Sequence, residues 1–500
     1  MQVKRPIILD IKIKLIILYN MLFLIYINGV IQIKYRNKID LNNFNLIKNK
    51  SKVKQIYKFL ELYELRFNKK DCNFLDPINI FKQRFNTTPA ILCENENSRH
   101  ICFQDQNPIF AYQKGVSCEF NDVIIDPFKW RRDGYIYKGP MDYRNYGRPL
   151  INNGFFGMKC KGNPMTEYKE HHSIYNNYFK AWNYKYNEKE ELEELSPGKT
   201  VFFISRNQDS PNLFHGGSEF INALSIMYLL NLYPEDIQIV FLESIQINDD
   251  PFYNLYKYLI GRGGEPIHIR NLKKKYHIEF GVHIPINWDS PCFIKKKTIP
   301  NCTNNPTKTY FLYNKLIDLY MNPRLYKDFI DNKKAFYYPN KIINLNKKKN
   351  KFDKIVTFQW RRVWPKDRKG QHRILGNGPE LADKISQLLP DNILIRLIDT
   401  AILSINEQIS IMRNTDYFLG IHGAGLSLIL YAPKECIFHE ISNKRKMKGL
   451  ALFASLSGHK VYRDIIKADI KKIDGNEVLY FNEDYFIKSV INHMKENNFI

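Results

Sequence analysis

From residue 199 onward, the spacing of apolar residues changes repeatedly along the chain. Short continuous apolar runs, typical of buried strands, alternate with segments in which apolar residues recur every three or four positions, as in helices. In the first series, KTVFFIS (199–205) and IQIVFLE (237–243) predict strands, and SEFINALSIMYLLNL (218–232) between them predicts a helix. Strands that alternate with helices favour a parallel sheet.

A second series with the same alternation begins at residue 353. Its helix SINEQISIMRN starts with Ser404 and Glu407, which are spaced as in a capping box. The predicted elements are, in order, strand 353–360, helix 378–390, strand 392–399, helix 404–414, strand into turn 416–425, helix 426–433 and strand 436–442. The two series predict an α/β protein with two Rossmann-like halves, residues 196–330 and 353–500, joined by a linker at 331–352 where the pattern is interrupted.

The first 195 residues have a different character. Residues 15–33 form an apolar stretch preceded by lysines and an arginine, and about 20 residues suffice to span a bilayer. Residues 1–33 are therefore predicted to be a signal anchor, with a cleaved signal peptide ending near Gly29 or a buried helix as alternatives. Residues 34–195 show little periodicity and are predicted to be a stem followed by an irregular, cysteine-containing region.

Eight cysteines are present, and five of them precede residue 161. The absence of any Cys-x-x-Cys pair disfavours a zinc ribbon or a thioredoxin-type site. Disulfides are expected if the chain enters the secretory pathway, but the sequence does not determine how they pair. Three glycosylation acceptor motifs, at Asn49, Asn86 and Asn301, fit a luminal protein.

The formal net charge of the chain is +24. A basic chain suits anionic partners such as nucleic acid, a membrane surface or phosphorylated ligands. The lysine clusters are scattered, however, so a solvated surface is favoured over a dedicated polyanion site, and nucleic acid is not expected as a partner.

The stretch FLGIHGAGLSLILY (418–431) carries the main candidate for chemistry. Small residues let a ligand approach the backbone closely, and the start of the next helix offers N–H groups without helical partners. Such a pocket at the carboxyl end of a strand is suited to an anion, although a simple strand-to-helix turn is the alternative. The residues of this predicted pocket are His422, Gly423, Ala424, Gly425, Leu426 and Ser427.

Two further groups of polar residues extend this prediction. Glu440, near the end of the next strand, can accept hydrogen bonds from ribose hydroxyls, or it can be a solvated strand end. Arg361, Arg362 and Arg373 follow the strand at 353–360, and planar guanidinium groups suit a diphosphate. Surface solvation of some of these arginines is the alternative.

The first half contains a third polar group in PNLFHGGSEF (211–220). Asn212, His215 and Glu219 lie between a predicted strand and a predicted helix. His215 or Glu219 is a candidate general base, with Asn212 lining the pocket, and helix capping without chemistry is the alternative.

The chain resembles glycosyltransferase family 61, which includes plant β-1,2-xylosyltransferases and the EGF-domain O-GlcNAc transferase. The resemblance lies in NLFH (212–215), the arginine-bearing WRRVW…HRILGN (360–377), INEQISIMRNTDYFLGIHGAGLSLILY (405–431) and IFHEI (437–441). It implies a GT-B fold, in which two Rossmann-like domains face each other across a cleft and bind a nucleotide sugar, and it implies inversion at the anomeric carbon.

The chemistry also follows from the residues. No Asp-x-Asp occurs in the sequence, so we expect no metal and no other cofactor in the reaction. Arginine, His422 and the helix start would then stabilise the UDP leaving group.

These observations together predict an inverting glycosyltransferase. It would transfer xylose or N-acetylglucosamine from a UDP-sugar to a glycan or glycoprotein acceptor. It would do so in the Golgi or endoplasmic reticulum lumen, as a type II membrane-anchored or a secreted protein. A catalytically inactive luminal protein that binds sugar nucleotides or glycans is the alternative.

Overall fold

The computed structural model describes most of the chain from residue 50 to the C-terminus. The apolar segment 15–33 and Asn49 lie outside the described residues. Within the described part, no helix is long and apolar enough to cross a membrane. The described residues are 50–63, 72–73, 75–104, 116–129, 151, 153–162, 178–186, 192–204, 213–242, 252–262, 264–285, 299–320, 336–337, 352–361, 373–400, 403–443 and 449–500.

The described strands form three sheets. The larger one has the order β5-β1-β2-β3-β10-β7-β8-β9, with β4 and β6 attached, the second has the order β11-β14-β12-β15-β16-β17, and the third has the order β13-β19-β18. The strands are β1 Ala90–Glu94, β2 Arg99–Gln104, β3 Val116–Ile125, β4 Phe156–Gly157, β5 Lys161–Gly162, β6 Trp182–Asn183, β7 Thr200–Ile204, β8 Ile237–Phe241, β9 Ile267–His268, β10 Tyr276–Ile284, β11 Phe336–Tyr337, β12 Lys354–Gln359, β13 Ile374–Leu375, β14 Ile393–Ile398, β15 Tyr417–Ile421, β16 Ile437–Ser442, β17 Lys460–Ile465, β18 Ala468–Ile473 and β19 Asn476–Phe481.

Helices pack on these sheets. The α-helices are α1 Lys50–Tyr63, α2 Pro77–Phe85, α3 Leu213–Leu229, α4 Lys308–Tyr320, α5 Gly378–Leu388, α6 Ile405–Arg413, α7 Gly449–Leu456 and α8 Glu483–Glu496, besides a short turn at Tyr253–Leu255 that continues as a π-helix, Tyr256–Ile260. Helices α5 and α8 bury their apolar faces against strands β12, β14, β15 and β16. Helices α6 and α7 contact a 3₁₀ helix, Ala424–Tyr431, that follows β15.

The larger sheet crosses the sequence boundary expected at residue 195. Strands β1, β2 and β3 pair antiparallel, β3 pairs antiparallel with β10, and β10 pairs parallel with β7. The region described above as irregular therefore contributes strands to the same sheet as the first alternating series. Its strands were missed because both of their faces carry buried residues, as in β3, so no period of two is visible.

Among the described residues, three disulfides cross-link the N-terminal region and the first half. Two join residues within the N-terminal region, and the third joins the segment before α2 to the segment before α4. The pairs are Cys93–Cys160, Cys102–Cys118 and Cys72–Cys302. Cys436 is a buried free thiol. The expected disulfide linkage of the cysteine-containing region is thus present in the structure.

Most elements predicted for the second series are confirmed. The backbone N–H of Glu407 donates to Ser404 Oγ over 3.3 Å, and that of Ser404 donates to Glu407 Oε2 over 2.6 Å, which is the predicted capping box. One element differs, because the helix after the His-Gly-Ala-Gly run is a 3₁₀ helix in which Leu426 N–H donates to Gly423 C=O over 2.9 Å. Part of the expected linker, Phe336–Tyr337, is strand β11, which pairs with β14.

Candidate functional site

The order of the parallel strands marks a crevice in the second sheet. Strands β12, β14, β15, β16 and β17 follow one another in sequence but lie in the spatial order β14-β12-β15-β16-β17. Crossover connections therefore leave in opposite directions from β12 and β15, which pair in parallel. In open α/β sheets, ligands bind at the carboxyl ends of the strands at such a switch point. The carboxyl ends of β12 and β15 carry Arg361 and the His-Gly-Ala-Gly run.

Side chains from the end of β12 lie against the turn after β15. A Cβ atom on Gly423 would collide with Nη1 of Arg361, and one on Gly425 would collide with the amide of Gln359. The φ of Gly423 is 175°, so the backbone itself does not require glycine there. The two glycines therefore leave room for the side chains of Arg361 and Gln359. From the sequence, these glycines were expected only to let a ligand approach the backbone.

The turn is open to solvent at one point. Every residue from 417 to 432, all of which the structure describes, is buried except Ala424 and Gly425, which are partly exposed. These two residues begin the 3₁₀ helix, whose first N–H groups have no partner within the helix. Leu426 and Ser427 are buried behind them. The backbone of residues 424–425 is thus the part of the predicted pocket that a ligand can reach.

Glu440, which contacts His422 at the start of this turn, is a buried carboxylate. Nδ1 of His422 donates a hydrogen bond to its Oε1, and Nε of Arg463 on β17 lies 3.3 Å from its Oε2. A buried carboxylate is stable only when it is paired in this way. Both oxygens of Glu440 face protein side chains, so its contact with a ribose stays a prediction. Its contact with Nδ1 of His422 fixes the orientation of that imidazole and leaves Nε2 as the other ring nitrogen.

Arg373 approaches the same carboxylate from another segment. Burial lowers the pKa of the Arg373 guanidinium, and the charge of Glu440 opposes that shift. Arg373 has a φ of 69°, a left-handed conformation that costs a non-glycine residue about 1 kcal/mol. The N–H of Leu375 donates to the C=O of Arg361 over 2.9 Å, which brings the two arginine-bearing segments together. The guanidinium groups of Arg463 and Arg373 therefore both lie near the carboxylate of Glu440.

Helix α3 carries the candidate base to the same region. Position 217 of α3 packs against the 3₁₀ helix, since a Cβ there would lie 3.9 Å from Cδ1 of Leu430. Phe214 contacts Phe453 of α7 with ring centroids 4.8 Å apart. Glu219 lies in α3 and is 1% exposed. The element with the proposed base and the element with the proposed donor pocket are thus in direct contact.

The placement of the other predicted residues is partly defined. Asn212 and Arg362 lie outside the described residues, and for His215 the structure defines the helical backbone alone. Sequence reasoning missed Gln359 and Arg463. Gln359 precedes the noted arginines by two residues, but Arg463 could be found only from the strand register, in which it stands opposite Glu440.

The parallel sheet with this switch point defines an α/β protein, and Arg361 beside the start of the 3₁₀ helix supplies the kinds of group that an anionic ligand requires. The family model described as Glycosyltransferase 61 matches residues 295–438. This match confirms the resemblance to glycosyltransferase family 61 found in the sequence. The matched segment includes β12, β15 and the 422–427 turn, and it supports glycosyltransferase activity as the general function. A search of curated protein sequences gives no match to the chain.

Proposed function

We propose that this protein is an inverting glycosyltransferase that uses a UDP-sugar donor. The observation that carries the proposal is the meeting of Arg361 with the 423–425 turn at the switch point of the second sheet. The transferred sugar would be xylose or N-acetylglucosamine, and the acceptor a glycan or glycoprotein hydroxyl. The larger and the second sheet would then correspond to the acceptor and donor sides of a GT-B cleft.

The donor side would act on the leaving group. As the bond between the anomeric carbon and UDP breaks, negative charge grows on the diphosphate, and preorganised donors lower the free energy of that state. Arg361 and Arg373 would contact the diphosphate, and the N–H groups of Ala424 and Gly425 would complete the contact. Glu440 would hold His422 in one orientation and would keep Arg463 beside the pocket.

The acceptor side would activate the hydroxyl. Inversion requires the acceptor oxygen to attack the anomeric carbon from the face opposite UDP, and a base removes the hydroxyl proton as the bond forms. Glu219, or else His215, is the candidate base because α3 packs directly on the donor-side 3₁₀ helix. Asn212 would line the pocket near the start of α3.

The experiment that tests this function is a two-part screen of UDP-sugars. A donor at about 100 times its Kd should stabilise the folded protein by roughly 2.7 kcal/mol, which thermal unfolding detects. Release of UDP is then measured with each stabilising donor, with and without candidate acceptors. Turnover supports the transferase, and stabilisation without any turnover supports the inactive sugar-nucleotide-binding protein. Absence of both would contradict the proposed function.

The compartment is a separate part of the proposal. The three disulfides are of the kind that persists in oxidising compartments, and the acceptor residues Asn86 and Asn301 are both exposed. We therefore propose a location in the Golgi or endoplasmic reticulum lumen, with residues 1–33 as signal anchor or signal peptide. Protein from eukaryotic cells should carry glycan that an endoglycosidase removes, and less of it in Asn301→Gln. A fully reduced, unglycosylated product would contradict this location.

A further inference from the structure

A second polar cluster lies on the opposite face of β16 from Glu440. Nε2 of His439 lies 3.1 Å from Oδ2 of Asp464, and Nε2 of His493 lies 2.9 Å from the same oxygen. His439 is buried, whereas Asp464 and His493 are partly exposed. Because successive residues of a strand face opposite sides of the sheet, this cluster is separate from the proposed donor pocket.

The contacts of Asp464 are crowded onto one oxygen. The hydroxyl of Ser489 also donates to Oδ2, so three polar groups surround a single atom that has two lone pairs. The ligand atoms of the two histidines and Asp464 all lie within 4.8 Å of one another. Metal–nitrogen and metal–oxygen bonds of about 2.0–2.2 Å in a tetrahedron separate neighbouring ligand atoms by about 3.3 Å. The observed nitrogen–oxygen distances differ from that spacing by a few tenths of an ångström.

The outer nitrogen of each histidine is also engaged. Nδ1 of His439 lies 2.8 Å from the hydroxyl of Tyr417, and Nδ1 of His493 lies 3.1 Å from Oε2 of Glu496. Histidines that bind metals through one nitrogen usually hydrogen-bond through the other, often to a carboxylate, which fixes the ring and the tautomer. Both histidines therefore present Nε2 toward the common centre.

We propose that His439, Asp464 and His493 form a binding site for one divalent transition-metal ion. Two imidazole nitrogens and one carboxylate oxygen suit Zn²⁺ or Co²⁺ better than Mg²⁺ or Ca²⁺, which prefer oxygen ligands alone. The three ligands come from β16, β17 and α8, so a bound ion fastens the C-terminal helix to the sheet. The role is structural, and the inference does not depend on the proposed transferase reaction.

The test uses the full chain without a histidine tag, stripped with chelator and then titrated with Co²⁺. We expect one equivalent of Co²⁺ to produce the visible absorption bands of a low-coordinate nitrogen–oxygen site, and Zn²⁺ to abolish them. His493→Gln should weaken binding by at least 100-fold. The matched control is His277→Gln, which removes another histidine paired with an aspartate, since Nε2 of His277 lies 2.8 Å from Oδ1 of Asp122. The control should bind Co²⁺ like the wild type.

A second variant keeps the inference testable if His493→Gln does not fold. Glu496→Gln alters an exposed carboxylate at the end of α8 and should leave folding intact. It should weaken Co²⁺ binding by about 10- to 100-fold, as is typical when an outer partner of a metal ligand is lost. Absence of stoichiometric Co²⁺ binding to the wild type, or equal binding by wild type, His493→Gln and Glu496→Gln, would overturn the proposal and leave a hydrogen-bonded triad.

Discussion

Replacement of Arg373 by alanine gives a direct test of the donor pocket. The guanidinium of Arg373 lies close enough to Glu440 for their charges to interact. Its removal leaves Glu440 paired with His422 and Arg463, so we expect the variant to fold. If Arg373 contacts the diphosphate, UDP should bind more weakly and transfer should slow.

The magnitude follows from one charge-assisted contact. Such a contact is worth roughly 1.5–3 kcal/mol, which corresponds to about a ten- to hundred-fold loss of UDP affinity. The left-handed backbone at residue 373 could confuse this result, because a change in strain can also alter the pocket. Arg373→Gly separates the two effects, since glycine adopts a φ of 69° without strain. Both variants should lose the same affinity if the charge is responsible, and the glycine variant should be the more stable by about 1 kcal/mol.

Isothermal titration calorimetry with UDP measures the affinity, and circular dichroism verifies folding. Arg262→Ala is a matched control, because Arg262 is also a partly buried arginine paired with a carboxylate, with its Nε 3.5 Å from Oε1 of Glu235. It differs in location, since it follows the π-helix 256–260 in the first half. The control should bind UDP normally. If Arg373→Ala binds UDP within about two-fold of the wild type, or if Arg373→Gly alone restores affinity, the proposed diphosphate contact is wrong.

Three further predictions concern the base, the metal and the pH dependence. Glu219→Gln should lower turnover by about 10²- to 10⁴-fold with UDP affinity nearly unchanged, and retained activity would transfer the role to His215. EDTA should leave the transfer rate of folded protein largely intact while lowering the melting temperature, and loss of activity that Mn²⁺ restores would reveal a catalytic metal. Burial raises the pKa of Asp76 to about 6, although hydrogen bonds from Thr309 oppose the shift, so the folded state takes up a proton more readily than the unfolded state. The free energy of unfolding, measured by urea titration, should then fall by about 1–3 kcal/mol as pH rises from 4 to 7. Asp76→Asn should lack this decrease. An equal decrease in both proteins would show that Asp76 is not the group responsible.

The parts of the fold that sequence predicted are those fixed by local spacing. Strands β12, β14, β15 and β16 are continuous apolar runs, and the capping box of α6 depends on two residues three positions apart. The same local reasoning did not distinguish an α-helix from the 3₁₀ helix after β15. That segment is apolar on nearly all sides, so its periodicity carries no information about the type of helix.

The candidate site was only partly predictable because strand register determines it. Arg361, Arg373 and His422 could be proposed from motifs, but the contact of Arg361 with Gly423 depends on β12 and β15 being neighbours. Arg463 became a candidate only when β17 was seen to pair with β16. Sequence gives the residue types of such a site, whereas packing decides which of them reach one another.

The stretch IFHEIS shows why burial changes the interpretation of a polar residue. Strand β16 lies between β15 and β17 and is buried along its whole length, yet it carries His439 and Glu440 side by side. Alternation sends these side chains to opposite faces, and each must find partners there because an unpaired buried polar group costs several kcal/mol. Glu440 is paired with His422 and Arg463, and His439 with the hydroxyl of Tyr417 and with Asp464. One strand therefore positions two polar networks, so variants of Glu440 should alter UDP binding without altering Co²⁺ binding, and variants of His493 should do the reverse.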